Sequence, residues 1–142
     1  MLCIGYVRHG AGAGLGRAGG VQMKIKTRDL QGAALDWAVA LIECPEWKEE
    51  GYLEVFPHDL NFDDGTSFAP STDWAQGGPI IEREKIQLDV EAVGVWGAFI
   101  EGCTKDFLYH GPTPLAAAMR CYVASKLGPE MDVPVEFRES AE

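Results

Sequence analysis

The segment framed by Thr113-Pro114 and Gly128-Pro129 constrains the fold more than any other part of the chain. Threonine is a good N-cap, and a proline in the first turn lacks an amide that would be unpaired there anyway. Glycine followed by proline is a strong helix stop. Between these signals Leu115, Met119, Tyr122, Val123 and Leu127 recur at helical spacing, so one face is apolar. Ala116, Ala117 and Ala118 are small enough to let another element approach closely. A helix of this kind needs a second layer to cover its apolar face.

The rest of the chain supplies that layer. Residues 86–90 alternate apolar and polar side chains, and residues 95–100 form a second apolar run after a turn at Gly94. Together they predict an antiparallel hairpin. Upstream, Thr27 is expected to cap a helix from Arg28 whose apolar face is Leu30, Ala34, Trp37, Ala38, Leu41 and Ile42, ending at Cys44-Pro45. Residues 46–50 read as an acidic solvated turn, 52–56 as a strand, and 57–70 as a long loop that is either functional or mobile. Ser71 or Thr72 caps a short turn holding Asp73 and Trp74; Gly77-Gly78 interrupts it, and Pro79 opens a renewed helix. Residues 105–110 are irregular or a short edge strand, and 130–142 a charged tail. The sum is an α+β domain: a small antiparallel sheet of two to three strands packed against about three helices.

Residues 1–22 differ from everything after them. They are glycine-rich, contain no acid and carry only Arg8 and Arg17, so the formal charge of −10 divides into +2 for the leader and −12 for residues 23–142. We read them as a flexible leader or non-native extension, with Met23 the natural beginning of a single domain. Gly14, Gly16 and Gly19 match a dinucleotide-binding fingerprint in form only, because no helix follows them. Arg8-His9-Gly10 has the form of a phosphohistidine motif, but the chain is too short for the α/β domain such motifs sit on. No window reaches the roughly 18 uninterrupted apolar residues of a membrane span. A body this acidic repels phosphate backbones, so direct nucleic-acid binding is not expected. The four cysteines show no metal-ligand spacing, and Cys44 and Cys121 are expected as buried helix thiols in a reducing cytoplasm.

Three chemistries compete. The first is a non-catalytic site for a small nucleotide-like ligand, with a homo-oligomer compatible with it. Asp73, Trp74, Gly77, Gly78, Arg83, Trp96 and Arg120 are its candidate residues: the tryptophans offer stacking surfaces, the glycines close backbone approach, and the arginines a phosphate clamp. The second is an acidic surface that inhibits a basic host protein, since acids are spread over residues 46–54, 59–64, 82–91 and 130–142. The third is a cryptic enzyme using His58, Asp59, Asp63 and Asp64. No nucleophile motif, Walker loop or zinc motif accompanies those residues, so binding is favoured over catalysis. No cofactor and no metal are implied.

Three blocks carry a resemblance: Gly32-Ala-Ala-Leu-Asp-Trp-Ala-Val-Ala40, Ser71-Thr-Asp-Trp-Ala-Gln-Gly-Gly-Pro-Ile-Ile-Glu-Arg-Glu84 and Gly111-Pro-Thr-Pro-Leu-Ala-Ala-Ala-Met-Arg-Cys-Tyr-Val-Ala-Ser-Lys-Leu-Gly128. Together they resemble the NinX-like family of small phage and prophage proteins over residues 23–136. The resemblance implies a phage accessory protein working in the cytoplasm of a bacterial host. It brings no catalytic residues.

Overall fold

A computed structural model describes residues 22–101 and 108–137. Residues 1–21 of the leader, 105–107 of the 105–110 segment and 138–142 of the expected tail lie outside these residues. Five helices and two antiparallel sheets make up the described part: β1 (Gln22–Lys26), α1 (Gly32–Glu43), α2 (Pro45–Glu49), α3 (Tyr52–Val55), α4 (Trp74–Glu84), β2 (Ile86–Ala92), β3 (Val95–Ile100), β4 (Tyr109–Gly111), α5 (Pro114–Leu127) and β5 (Glu130–Pro134). The fold is α+β, as expected. No helix among the described residues is long and apolar enough to cross a membrane.

Helix α5 is the centre. The Thr113 hydroxyl accepts from the Ala116 amide at 3.0 Å, and Gly128 ends the helix with φ +95°. The helix packs against β2, β3 and β4 as well as α1 and α4. Its burial therefore extends beyond one stripe: Leu115, Ala117, Ala118, Met119, Cys121, Tyr122, Val123 and Ala124 are all buried, whereas Leu127, expected on the stripe, is exposed at the C-terminal end of the helix. Gly111 explains how β4 comes so close, because a Cβ there would sit 2.7 Å from the Ala117 amide nitrogen.

The hairpin forms as predicted, β2 pairing with β3 from Ile86↔Ile100 to Ala92↔Val95, and β4 adds the edge strand. A second sheet was not anticipated. Residues 130–134, read as a charged tail, pair as β5 with β1, burying Ile25, Met131 and Val133. Their alternation of charged and apolar side chains is what a half-buried strand requires. Thr27 does not cap a helix. Its amide donates to the Pro129 carbonyl at 2.8 Å and its hydroxyl to the Gly128 carbonyl at 2.7 Å, tying the end of β1 to the turn after α5. A 3-10 turn, Thr27–Asp29, follows, and α1 begins only at Gly32.

Two further expectations are corrected. Residues 46–50 fall largely within α2, which Pro45 opens and Trp47 anchors. Residues 52–55 are the one-turn helix α3, not a strand. Four apolar-rich residues fit either period, and the decision falls to packing: Tyr52 meets the Trp47 ring edge-on at 5.1 Å, and the Trp37 indole donates to the Leu53 carbonyl at 2.9 Å. The long loop is anchored by the same cluster, since Phe62 and Phe68 pack on Trp47 and the Tyr52 hydroxyl donates to the Asp59 carbonyl while accepting from the Asn61 amide. Cys121 is a buried thiol, as expected; Cys44 is buried but disulfide-bonded.

Helix α4 is continuous through Gly77, Gly78 and Pro79, so the expected break and restart do not occur. Asp73 is its N-cap, accepting from the Ala75 amide at 3.0 Å. Gly77 serves packing: a Cβ there would lie 2.5 Å from the Pro70 carbonyl oxygen and 2.6 Å from a Leu115 methyl group. Lys85, with φ +57°, closes the helix and hands the chain to β2 in one residue.

Candidate functional site

A broad cleft lies between the two sheets. It has a volume of about 750 Å³ and is walled by the end of β1, the 3-10 turn, the Gly94 turn, β4 and the turn into β5, with α5 reaching it through Arg120. That volume is in the range of sites for small organic ligands, roughly 300–1,000 Å³.

Its chemistry is unusual for so acidic a protein. Lys26, Arg28, His110 and Arg120 line it together with the two acidic residues Asp29 and Glu130. Val95, Leu108, Pro112 and Pro129 supply apolar wall. Among the described residues neither Lys26 nor Arg28 makes an ion pair, although four pairs form elsewhere.

Arg120 is built in. Its Nε donates to the Leu30 carbonyl and its Nη1 to the His110 carbonyl, both at 2.7 Å. One guanidinium thus bridges the connection after β1 to the edge strand β4. Partial burial lowers its pKa, an effect opposed by the charge of Asp29. It nevertheless stays cationic, because an arginine begins so far above neutrality. Both its hydrogen-bond partners are neutral carbonyls, so the guanidinium is fixed in place without a direct ion pair, and Asp29 acts on its charge only through space. A guanidinium carries five N–H donors, and these two bonds leave the others for a ligand.

Arg83 lies in a different setting. Its Nη2 donates to Glu43 Oε2 at 2.6 Å and to the Tyr122 hydroxyl at 3.0 Å, and its Nε to Glu84 Oε2 at 2.9 Å. Its pKa is raised, chiefly by the hydrogen bond to Glu43 and then that to Glu84. The Tyr122 hydroxyl donates to the same Glu43 carboxylate, and burial followed by that bond pushes its pKa upward. Lys126 Nζ adds a further pair with Glu84 at 3.4 Å. This is a neutralised network joining α1, α4 and α5.

A smaller pocket of about 190 Å³ lies where α1 meets the long loop, lined by Asp36, His58, Asp59, Asn61 and Ser67 among others. Asp36 accepts from the Ser71 amide at 2.9 Å. Burial raises its pKa to about 6, partly offset by hydrogen bonds from Ser71. Asp64 instead caps its own turn, accepting from the Thr66 amide at 2.9 Å. Among the described residues no group of three or more histidine, cysteine, aspartate or glutamate side chains could hold a metal ion.

Of the seven residues singled out from the sequence, Arg120 alone lines the large cleft. Trp96 is close in the fold, its Cα paired with that of Gly111 across β3 and β4, but its side chain is half-buried on the core. Asp73 and Gly77 are accounted for by the cap and the packing of α4, and Trp74 lies exposed over Gly78. Arg83 and Arg120 are not brought together. Lys26, Arg28, Asp29, His110 and Glu130 were missed. The available signal was the alternation of Lys24, Lys26 and Arg28, which concentrates cations at the start of a body otherwise rich in acids.

A family model described as Bacteriophage P22, NinX matches residues 26–126, most of the chain. No curated protein matches it.

Proposed function

The chain belongs to the bacteriophage P22 NinX family, and from that premise we propose that this phage protein is a non-catalytic binder of a small, phosphate-bearing, nucleotide-like ligand, held in the cleft between its two sheets. One observation carries the reading: three cations converge on a cavity of ligand size in a protein whose formal charge is −10. Asp29 and Glu130 offset two of the three cations, so the cleft keeps an excess of one positive charge, opposite in sign to the rest of the protein, and like charges brought this close raise one another's energy. A bound anion removes that cost. Arginine also matches phosphate geometry with parallel N–H donors, and Arg120 already has its guanidinium plane fixed by two carbonyls. Fixing the donor in advance reduces the ordering entropy that binding would otherwise lose. The apolar wall from Val95, Leu108 and the two prolines offers a surface for a base or another flat group.

Thermal melts with a panel of nucleotides test the reading. A ligand at free concentration L that binds only the folded state stabilises it by RT ln(1 + L/Kd), so the melting temperature rises with the logarithm of ligand concentration once that exceeds Kd. Lys26→Ala with Arg28→Ala removes two exposed cations that make no ion pair among the described residues. This double variant is expected to melt like the wild type when unliganded and to lose the nucleotide-induced rise. If no phosphate compound shifts the wild-type melt, the cleft is not a phosphate site.

A further inference from the structure

The two carboxylates in the cleft set a condition that a site for a bare anion does not need. The register of the small sheet places Glu130, and Asp29 sits in the 3-10 turn that follows β1. Lys24 faces Asp132 and Lys26 faces Glu130 across β1 and β5. Residues two apart on a strand share a face, so these are successive rungs of one ladder. Side chains directly opposite have Cβ atoms about 5 Å apart, close enough for a lysine and an acid to meet. The Lys24–Asp132 rung does close, with Nζ 3.5 Å from Oδ1. The Lys26–Glu130 rung does not, and it is the one that lines the cleft. Arg28 and Asp29, adjacent in the 3-10 turn, repeat the juxtaposition of unlike charges.

An open pair of this kind presents a donor cation and a carboxylate acceptor side by side. A ligand made only of anionic oxygens gains from Lys26, Arg28 and Arg120 but is repelled by Glu130 and Asp29. A ligand whose phosphate meets the cations while its O–H or N–H groups meet the carboxylates satisfies both sets. Carboxylates accepting from hydroxyl or amino donors form charge-assisted bonds, which are stronger than neutral ones.

We propose that Glu130 and Asp29 are specificity-determining residues that read the donor groups on the organic part of the ligand. The cleft thereby selects phosphate esters bearing hydroxyl or amino groups, nucleoside monophosphates above all, over bare phosphate or pyrophosphate. This inference rests on the reading of the cleft as a phosphate site.

Calorimetric titration of AMP and of inorganic pyrophosphate into the wild type, Glu130→Gln and Asp29→Asn tests it, with circular dichroism melts as the control for folding. Both residues are exposed, and neither substitution changes size. The expected result is a change of opposite sign for the two ligands. Each variant binds AMP about tenfold more weakly, in line with loss of a hydrogen bond to a charged acceptor, and pyrophosphate severalfold more tightly, since a repelling charge is gone. If both ligands tighten together, or neither changes, the carboxylates do not read donors and this inference is overturned while the phosphate site stands. If the wild type binds neither ligand, the phosphate site itself falls and the inference falls with it.

Discussion

Arg83 and Arg120 are both anchored by hydrogen bonds beside the central helix, and the nature of their anchors separates scaffold from site. Arg83 is held by the carboxylates of Glu43 and Glu84 and by the Tyr122 hydroxyl. Arg120 is held by two main-chain carbonyls. Both arrangements fix a guanidinium in space. Carboxylates also cancel its charge, so Arg83 is left little field with which to attract an anion. Carbonyls carry only partial charges, so Arg120 reaches the cleft without a direct ion pair, its charge opposed only through space by Asp29. An arginine bound by neutral groups next to an open cleft is therefore a better candidate for ligand contact than one already paired, whatever the local sequence suggests.

The largest effect should come from breaking the Arg120 bridge. Hydrogen bonds to charged groups are worth roughly 1.5–3 kcal/mol each, and Arg120→Met leaves two carbonyls without their donor. A loss of about 3–4 kcal/mol in denaturant-measured stability is expected, together with loss of any nucleotide-induced rise in melting temperature. Arg120→Lys keeps the charge but cannot reproduce the planar fork, so it should recover only part of the stability. An Arg120→Met variant as stable as the wild type would show that the bridge does not hold the two sheets.

Asp36 is the contrasting case, a half-buried carboxylate whose hydrogen bond comes from the Ser71 amide and not from a cation. Its folded-state pKa of about 6 lies above the ordinary value of 3.8. Between those two values the folded state binds more protons than the unfolded one, so this residue's contribution falls as pH rises through that window and is constant above it. The difference is on the order of 2–3 kcal/mol. Asp36→Asn retains an acceptor for the Ser71 amide without the charge. Its stability relative to the wild type should increase from pH 4 to pH 6.5 and then level off. A difference that does not vary with pH would mean that Asp36 is better solvated than its burial indicates.

The Arg83 network should respond more weakly. Arg83→Met leaves a Glu43 side chain that is 6% exposed without its cation. Losing one partner of a fully buried pair costs about 3–5 kcal/mol. Because Arg83 itself is 46% exposed, solvent screening reduces this to about 2 kcal/mol. Adding Glu43→Gln should restore most of the loss, since it removes the stranded charge. Nucleotide binding should be unchanged in both variants. If Arg83→Met weakened binding as much as Lys26→Ala does, the contrast between the two arginines would collapse.

How much of this was legible in the sequence follows from the range of the signals. Thr113, Pro114 and Gly128 act on their own neighbours, and α5 was readable from them. The β2–β3 hairpin was readable for the same reason. The β1–β5 sheet joins the two ends of the described chain, and nothing in residues 130–134 points to residues 22–26. Charged side chains on the exposed face of β5 made a strand look like a tail. Residues 52–55 could not be assigned because a single turn is too short to distinguish the two periods. The Trp74–Arg83 block attracted attention through its rare residue types, yet most of those types proved to build a helix. The cleft went unseen because its cations come from β1, from the turn after it and from α5, and only the fold brings them together.

The smallest effects are the sharpest test, because they compare two lysines on the same face of the same strand. Lys24 closes an ion pair with Asp132 in which the two side chains are 63% and 55% exposed. Such a pair contributes only about 0.2–1 kcal/mol, so Lys24→Ala should cost a few tenths of a kcal/mol and leave ligand binding untouched. Lys26 faces Glu130 without pairing, so Lys26→Ala has no ion pair to lose. It should leave stability within about 0.5 kcal/mol of the wild type, as most surface substitutions do. Its effect should appear only in titration, as a severalfold weaker Kd for a nucleoside monophosphate whose size depends on salt. Exposed charges are screened over about 10 Å at 0.1 M ionic strength, so the Lys26→Ala deficit should shrink as salt rises. The two variants remove the same charge from positions one rung apart, so the overall field of the protein changes equally in both. If binding weakened to the same extent in each, the ligand would be sensing net charge and not the open rung at the cleft.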